Sequence, residues 1–399
     1  MIDSTALLAD LQKLLPKLEA DISAYATSNA DIETSLNQQY KDAKDAERTA
    51  DHWIDWRAAL ITQSAVAWVL ASTFIRFLED NHLIPQPIIA GPKGKQLNNA
   101  KDALTVYFRE HPTHAEREYL QHQFDTLCKL PVMASLLNKQ HNPLWSVPVS
   151  ADGAKLLIDF FQQLQPDTGD IIHDFTDDQW NTRFLGDLYQ DLSESVRKRY
   201  ALLQTPDFVE TFILDYTLNP AMETFGIKGL RMIDPTCGSG HFLLSGFSRL
   251  FNAWIKQEPQ TNTRELAERA LNAIHGIDIN PYAVAIARFR LLIAAMQAAG
   301  STSIHQRLNF TFNLAVGDSL IHGKRHESVG QGIQTDALDD PIGHVLDTED
   351  KAELNRILGQ RFHVVVGNPP YITVKDKACL LYTSPSPRDQ RGSRMPSSA

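Results

Sequence analysis

Four consecutive residues, Asn368-Pro369-Pro370-Tyr371, are of types that can hold a flat group bearing an amine. The two prolines stiffen the loop and remove two backbone N–H donors, so carbonyl oxygens are left to accept hydrogen bonds. The Asn368 side-chain oxygen and the Pro369 carbonyl can together grip an exocyclic –NH₂ group, while the Tyr371 ring can stack on a planar base. The alternative is a rigid turn with a packed tyrosine.

A second candidate is the glycine turn DPTCGSGHF, residues 234–242. Gly238 and Gly240 allow a tight turn and the close approach of a ligand. The helix predicted after them offers free N–H groups to a carboxylate or a phosphate. The turn contains neither G-x-G-x-x-G nor Gly-Lys-Ser/Thr, which disfavours a P-loop nucleotide hydrolase.

Two further acidic residues end apolar runs. Asp278, in GIDINP, can accept hydrogen bonds from both ribose hydroxyls of a nucleoside cofactor. Asp318, in VGDSL, can accept one from the amino group of an adenine ring. For each carboxylate the alternative is a helix cap, a common position for Asp.

Four short apolar runs must position these residues: GLRMIDP, AIHGIDI, FNLAVGD and FHVVVGNPP. Helical segments separate them, and strands alternating with helices predict a parallel α/β sheet buried on both faces. Ligands of such sheets bind beyond the carboxyl ends of the strands. The acidic residues and Asn368 all stand at those ends.

The region 1–170 is predicted to be an all-helical domain. Apolar residues recur with a helical period from Leu7 to Ile22, and another helix is predicted over 53–80. Its apolar run, Ala58 to Ile75, contains five polar residues, so it predicts a buried core helix and not a membrane span. QPDTGD marks the boundary with a second domain, 171–378. A short helix late in that domain is expected to be capped by Asp347 or Thr348.

The composition is that of a globular protein, with 399 residues, 43% hydrophobic and 22% charged. The three cysteines, Cys128, Cys237 and Cys379, lack metal-like spacing, which argues against a zinc site or a disulfide framework and fits the reducing cytoplasm. The net charge of −10 weighs mildly against nucleic-acid binding but is compatible with a basic cleft.

Together these motifs resemble the S-adenosylmethionine-dependent N6-adenine DNA methyltransferases. DPTCGSGHF resembles their first cofactor motif and NPPY their catalytic motif. LGDLYQ, residues 185–190, and LLQTPDFV, residues 202–209, resemble the segment before the first motif in the gamma-type order. The resemblance implies a Rossmann-like methyltransferase sheet, represented here by its first four strands and preceded by the helical domain.

The resemblance also implies S-adenosyl-L-methionine as cofactor, double-stranded DNA as substrate and no metal. The implied catalytic residues are Asn368, Pro369, Pro370 and Tyr371, and the implied cofactor-binding residues are Thr205, Pro206, Asp234, Thr236, Gly238, Gly240, Asp278 and Asp318. An adenine would be flipped out of the duplex, with its N6 held by Asn368 and the Pro369 carbonyl and its ring stacked on Tyr371. Catalysis would rest on positioning and electrostatics. Cys237 is not needed as a nucleophile.

Two stretches narrow the resemblance. WVLASTFIRFLEDNHLI and VVVGNPPYI are similar to the PglX family of large methyltransferases in phage growth limitation and bacteriophage-exclusion (BREX) systems. Type I and IIG restriction-modification methyltransferases share the same core. A role in phage defence or in marking self DNA is expected, with other defence proteins as candidate partners and no membrane association.

Two other classes remain open. Release-factor glutamine methyltransferases and ribosomal-RNA amino-methyltransferases also use Asn-Pro-Pro-Tyr, because an amide or amino nitrogen needs the same acceptors. The other class is a non-enzymatic DNA-binding subunit with a methyltransferase-like fold.

The final residues, Cys379–Ala399, are rich in Ser, Pro and Arg. In frame, their codons can be written as a sequencing-library adapter, so we expect them not to be native. With only the first part of the catalytic domain, 171–378, before them, a sheet that stops at the fourth strand would expose its edge. We therefore expect the chain itself to be an unstable, inactive fragment of an active enzyme.

Overall fold

The structure is a computed structural model that describes residues 2–45, 49, 51–92, 96–137, 139, 142–192, 205–320 and 350–369. The expected adapter segment, Cys379–Ala399, lies outside these residues, as do Pro370 and Tyr371.

The N-terminal region is helical, as predicted. Its helices are α1 (Ser4–Ser28), α2 (Ala30–Asp45), α3 (Trp53–Asp80), α4 (Gln96–Glu110), α5 (Glu116–Cys128), α6 (Pro131–Ala134), α7 (Ala151–Phe161) and α8 (Phe184–Asp191), with a 3₁₀ turn at Pro143–Trp145. Helix α1 packs its apolar stripe on α3, and α5 packs on α7. The period-3.6 pattern from Leu7 to Ile22 therefore marks the buried face of α1.

Helix α3 is the core helix of this region. It is long and apolar enough to cross a membrane, but 72% of its most apolar window is buried inside the protein. A helix that is apolar on all sides needs partners all round. The surrounding helices supply them, in agreement with the sequence prediction.

A buried ionic cluster closes the end of α3. The Arg76 guanidinium donates to Glu79 (2.5 Å) and to Asp80 (2.7 Å), and all three side chains are buried. The Glu79 carboxylate also accepts the backbone N–H groups of residues 88–91, and Asp80 accepts that of Phe175 (2.8 Å). These bonds compensate the burial of the charges and tie two loops to the helix.

The second region is the predicted parallel α/β sheet. Its helices are α9 (Asp207–Tyr216), α10 (Leu218–Phe225), α11 (His241–Gln257), α12 (Thr263–Asn272), α13 (Pro281–Ala298) and α14 (Lys351–Leu358). Its strands are β1 (Met232–Asp234), β2 (Ile274–Asp278), β3 (Asn313–Val316) and β4 (Val364–Val365), in the order β3-β2-β1-β4 and all parallel. Met232 on β1 lies opposite Ile274 on β2 and Val364 on β4.

Helix α14 covers one face of the sheet. A small apolar cluster joins them and consists of Ile233, Ile277, Ala315, Leu354 and Ile357. The helix is capped by Asp350, whose side chain accepts the N–H of Glu353 at 3.0 Å. The expectation of a cap at Asp347 or Thr348 was wrong, because the helix begins a few residues later than the sequence pattern suggested.

The helical region and the sheet share a packed interface. The Phe289 ring on α13 stacks on the Phe74 ring on α3 with centroids 4.3 Å apart. The neighbouring Arg288 donates to the Ser135 carbonyl of the helical region (2.9 Å) and to the Leu314 carbonyl of β3 (2.5 Å). The domain boundary at residue 170 stays a prediction.

Candidate functional site

The strand order places the predicted site residues in one row. At the carboxyl end of the parallel sheet, Asp278 and Asp234 are the last residues of β2 and β1, and Asp318 and Asn368 follow β3 and β4. This is the edge at which ligands of such sheets bind. The expectation that these residues share one edge is therefore met.

All three carboxylates make the same local turn. In each, Oδ1 accepts the backbone N–H two residues later, an arrangement typical of Asp after a strand. The pairs are Asp234 with Thr236 (3.0 Å), Asp278 with Asn280 (2.8 Å) and Asp318 with Leu320 (2.8 Å). The capping alternative is wrong for Asp234 and Asp278, because the N-caps of the helices that follow them are Gly240 and Asn280.

The second oxygen of Asp278 reaches the glycine turn. Its Oδ2 accepts the N–H of Gly238 at 2.8 Å, which joins the end of β2 to the loop after β1. Burial raises the pKa of Asp278 to about 6, and the N–H groups of Asn280 and Gly238 oppose that rise. The sequence did not predict this link, because the two residues belong to different strand ends.

The glycine turn leaves the start of α11 open. Gly238 and Gly240 have φ values of 52° and 86°, in the left-handed region that favours glycine. Gly240 is the N-cap of α11, and no side chain caps the helix. A Cβ on Gly240 would lie 3.0 Å from that of Ala287. The turn therefore lets the helix N-terminus face a ligand at close range, which suits an anionic group.

Asp234 is a buried carboxylate beside this helix start, with 1% of its surface exposed. Burial raises its pKa to about 7, helped by the negative charge of Asp278 and opposed by the hydrogen bonds from Thr236. A carboxylate in this state gains most from a neighbouring cation. Together, the open helix start and this carboxylate fit the carboxylate and ammonium groups of an amino acid.

The end of β4 meets both the glycine turn and the start of α9. A Cβ on Gly367 would lie 3.1 Å from Asp234 Oδ1 and 3.1 Å from Thr236 Oγ1. The Asn368 Nδ2 donates to Thr205 Oγ1 at 3.3 Å. Pro206, next to Thr205, and Pro369 are both exposed. The described part of the NPPY sequence thus lies against the predicted cofactor-binding residues.

Cys237 is buried inside the turn. Its N–H donates to the Ile277 carbonyl at 2.8 Å, and burial raises the pKa of its thiol well above the ordinary value. A thiol in this state is a poor nucleophile. The prediction that Cys237 is not needed as a nucleophile is consistent with this environment.

Sequence reasoning missed two buried charged residues near the turn. Arg290 on α13 donates to the Ser239 carbonyl at 2.7 Å. Glu210 on α9 accepts from Ser245 on α11, and burial raises its pKa. The available signal was a charged residue inside an otherwise apolar helical run, as in AVAIARFRLLIAAM.

Comparisons with known proteins agree with a parallel α/β sheet that has a candidate cofactor site at its carboxyl edge. Residues 272–389 match the family model described as Eco57I restriction-modification methylase. A methyltransferase of the restriction-modification type is thus the class to which the catalytic region is similar.

The chain resembles one particular member closely. It is 45% identical over 389 residues to the adenine-specific methyltransferase PglX of Streptomyces coelicolor, a match that covers 95% of this chain and 32% of PglX. The resemblance to PglX predicted from the sequence is confirmed. The chain spans about a third of the length of that relative.

Two further matches are weaker. A Methanocaldococcus jannaschii protein, provisionally named a type II restriction enzyme and methyltransferase, is 30% identical over 101 residues, 23% of this chain and 9% of that protein. A cryo-EM structure of a DrdV–DNA complex matches with a TM-score of 0.48 and 16% identity, covering 94% of this chain and 29% of that chain.

Proposed function

We propose that this chain provides the cofactor site and the start of the catalytic loop of an enzyme that methylates adenine N6 in double-stranded DNA. The observation that carries the proposal is the contact of Asn368 with Thr205, beside the packing of Gly367 on Asp234 and Thr236. An amine-gripping residue thereby stands next to a site suited to an amino acid.

Each residue of the candidate site is assigned to one part of the proposed cofactor, S-adenosyl-L-methionine. Asp234 pairs with its ammonium group, and the open start of α11 faces its carboxylate. The remaining lone pairs of Asp278 accept from the ribose, and Asp318 accepts from the adenine amino group. Thr205 and Pro206 lie beside the methionine part. The cofactor supplies a sulfonium methyl group.

The NPPY residues hold the target base. The Asn368 oxygen and the Pro369 carbonyl accept from the N6 amino group and turn its lone pair towards the methyl group. Tyr371 stacks on the extruded adenine, and Pro370 stiffens the loop. The acceptor role is assigned to the Asn368 oxygen because the amide nitrogen of the same side chain donates to Thr205 Oγ1.

The role of the whole protein is proposed from its relative. PglX is named as an adenine-specific methyltransferase, which supports DNA adenine methylation by the whole protein. From the resemblance of its motifs to the methyltransferases of phage-defence systems, we assign to the whole protein a part in phage defence or self-marking, in the cytoplasm and alongside other defence proteins. We assign recognition of the DNA sequence to the part of the whole protein that corresponds to the unmatched two thirds of PglX.

The test measures cofactor binding and methyl transfer separately. Calorimetry should give one bound S-adenosylmethionine per chain, and Asp234→Ala should abolish it. Transfer of tritium from labelled cofactor is then measured with duplex DNA, a release factor or ribosomal RNA as acceptor. Digestion of the DNA to nucleosides should give N6-methyl-2′-deoxyadenosine. Two proteins are assayed. One is the chain alone, and the other is a fusion of its residues 1–378 to the part of the Streptomyces PglX that follows the matched region. Transfer to a release factor or to RNA in preference to DNA would overturn the proposed substrate.

A further inference from the structure

Helix α13 carries a buried arginine behind the glycine turn. Arg290 is 6% exposed and stands among apolar residues of the helix. Burying a guanidinium is costly unless its charge and N–H groups are compensated. A buried arginine in such a run therefore calls for a structural or functional reason.

Arg290 donates a hydrogen bond to the backbone of the glycine turn. Its Nη1 donates to the Ser239 carbonyl at 2.7 Å and lies 3.4 Å from the Ser239 hydroxyl. Ser239 is 3% exposed, so its carbonyl cannot be satisfied by bulk water. Hydrogen bonds from a charged donor are about twice as strong as neutral ones. Arg290 thus fixes the direction of the peptide unit that leads into Gly240 and α11.

The turn is anchored from two sides. Asp278 accepts the N–H of Gly238 at 2.8 Å, and Arg290 donates to the next residue's carbonyl. These bonds come from β2 and from α13, so two separate elements orient the peptide units on either side of the Gly238–Ser239 peptide. Glu210 on α9 lies close enough for the positive charge of Arg290 to oppose the rise in its pKa. The arginine is therefore compensated by both a carbonyl and a carboxylate.

We infer that Arg290 is a positioning residue for the methionine half of the cofactor. It holds the glycine turn in the form that presents the α11 N-terminus, without touching the ligand. This inference rests on the proposed function and adds a residue to it. The nucleoside half is assigned to Asp278 and Asp318, at the ends of β2 and β3, and should depend much less on Arg290.

The experiment compares two ligands that share a nucleoside. S-adenosylhomocysteine has the amino-acid part and adenosine lacks it, so the ratio of their dissociation constants reports on the methionine half alone. Arg290→Met should weaken the binding of S-adenosylhomocysteine by about tenfold or more, as expected for one lost charged hydrogen bond. The dissociation constant of adenosine should stay within about twofold of its value in the unsubstituted protein. Arg290→Lys, which keeps a charged donor, should recover most of the loss.

Arg288→Met is the matched control. This residue is two positions away on the same helix and also donates to two backbone carbonyls, those of Ser135 and Leu314, neither of which is in the turn. It should lower thermal stability and leave the ligand ratio unchanged.

The inference would be overturned if Arg290→Met lost affinity for S-adenosylhomocysteine and adenosine by the same factor. It would also be overturned if Arg288→Met changed the ratio of the two dissociation constants as much as Arg290→Met does. If Arg290→Met did not fold, Arg290→Gln, with a neutral donor, would be measured in the same way and judged by the same ratio. Failure of the unsubstituted protein to bind either ligand, both as this chain and with residues 1–378 joined to the remaining length of PglX, would instead count against the proposed function.

Discussion

Asn368 and Thr205 are separated by 163 positions in sequence, yet the Asn368 amide donates to the Thr205 hydroxyl at 3.3 Å. The bond joins the end of β4 to the segment that leads into α9. It places the residue proposed to hold the target amine beside the residues proposed to hold the methyl donor. A methyl transfer requires these two groups to be aligned within about 3–3.5 Å of each other.

Replacing Asn368 should separate cofactor binding from chemistry. In Asn368→Ala, in a form of the protein active on DNA, the turnover number should fall by about 10²–10³, the usual cost of a lost stabilising group at the reacting atom. The affinity for S-adenosylmethionine should change by less than about threefold, because Asn368 is placed on the side of the target base. The measurement pairs calorimetry with single-turnover methylation.

A control for this variant is Asn355→Ala, an exposed asparagine on α14. It should leave both quantities unchanged. An Asn368→Ala protein that methylated DNA at the normal rate would remove this residue from the catalytic site.

Cofactor affinity should rise with pH. The pKa of Asp234 is about 7, so the carboxylate is mostly neutral at pH 5.5 and mostly ionised at pH 7.5. Only the ionised form pairs with the ammonium group, which predicts a rise of roughly 20-fold in affinity over that range. Calorimetric titrations across the range measure it, and Asp234→Asn should flatten the dependence. A flat profile in the unsubstituted chain would contradict the assigned role of Asp234.

The same group should make stability depend on pH in the opposite direction. Its folded pKa of about 7 is above the ordinary value of an Asp carboxyl, 3.8, so its contribution to stability is complete below about pH 4 and is lost as pH rises through 7. Asp80, whose pKa burial also raises to about 7, adds to this loss. Urea unfolding at pH 5 and pH 8 should therefore show a smaller pH difference in Asp234→Asn, with the part due to Asp80 remaining.

The two glycines of the turn should differ in their tolerance of a side chain. Gly240→Ala combines a φ of 86° with a Cβ contact of 3.0 Å to Ala287, so it should cost about 2 kcal/mol or more in the free energy of unfolding. In Gly238→Ala the new Cβ has no atom of the described residues within 4 Å, so the substitution should cost only about 1 kcal/mol. Equal losses in chemical denaturation would show that the contact with Ala287 is unimportant.

The stack of Phe74 on Phe289 should stabilise the two regions jointly. Both rings are buried, and Phe289→Ala should lower the free energy of unfolding by about 3–5 kcal/mol. A double-mutant cycle of Phe74→Ala and Phe289→Ala should give a coupling of about 0.5–1.5 kcal/mol. Phe208→Ala, at a ring that is 75% exposed, is the control and should be close to neutral. Additive effects in the cycle would mean that the rings do not stabilise each other.

Local patterns in the sequence determined the elements and the position of the site along the chain. Helical periodicity predicted α1, because burying one face of a helix requires apolar residues at that spacing, and a long apolar run predicted the buried helix α3. The four apolar runs predicted the strands, and their polar ends predicted where a ligand would bind. The resemblance of DPTCGSGHF and NPPY to methyltransferase motifs led to the same class as the comparison with PglX.

The tertiary structure decided which of these residues touch. The bonds of Asp278 to Gly238, of Asn368 to Thr205 and of Arg290 to Ser239 each join separate elements. No local propensity encodes such pairs, because they depend on strand order and on helix packing over the sheet. The predicted cap of α14, Asp347 or Thr348, was wrong for a related reason. The helix is capped by Asp350, and its residues Leu354 and Ile357 pack on Ile277 and its neighbours in the sheet, which the local sequence does not reveal. Burial in the folded state also sets the raised pKa of Asp234, which its position in the sequence does not reveal.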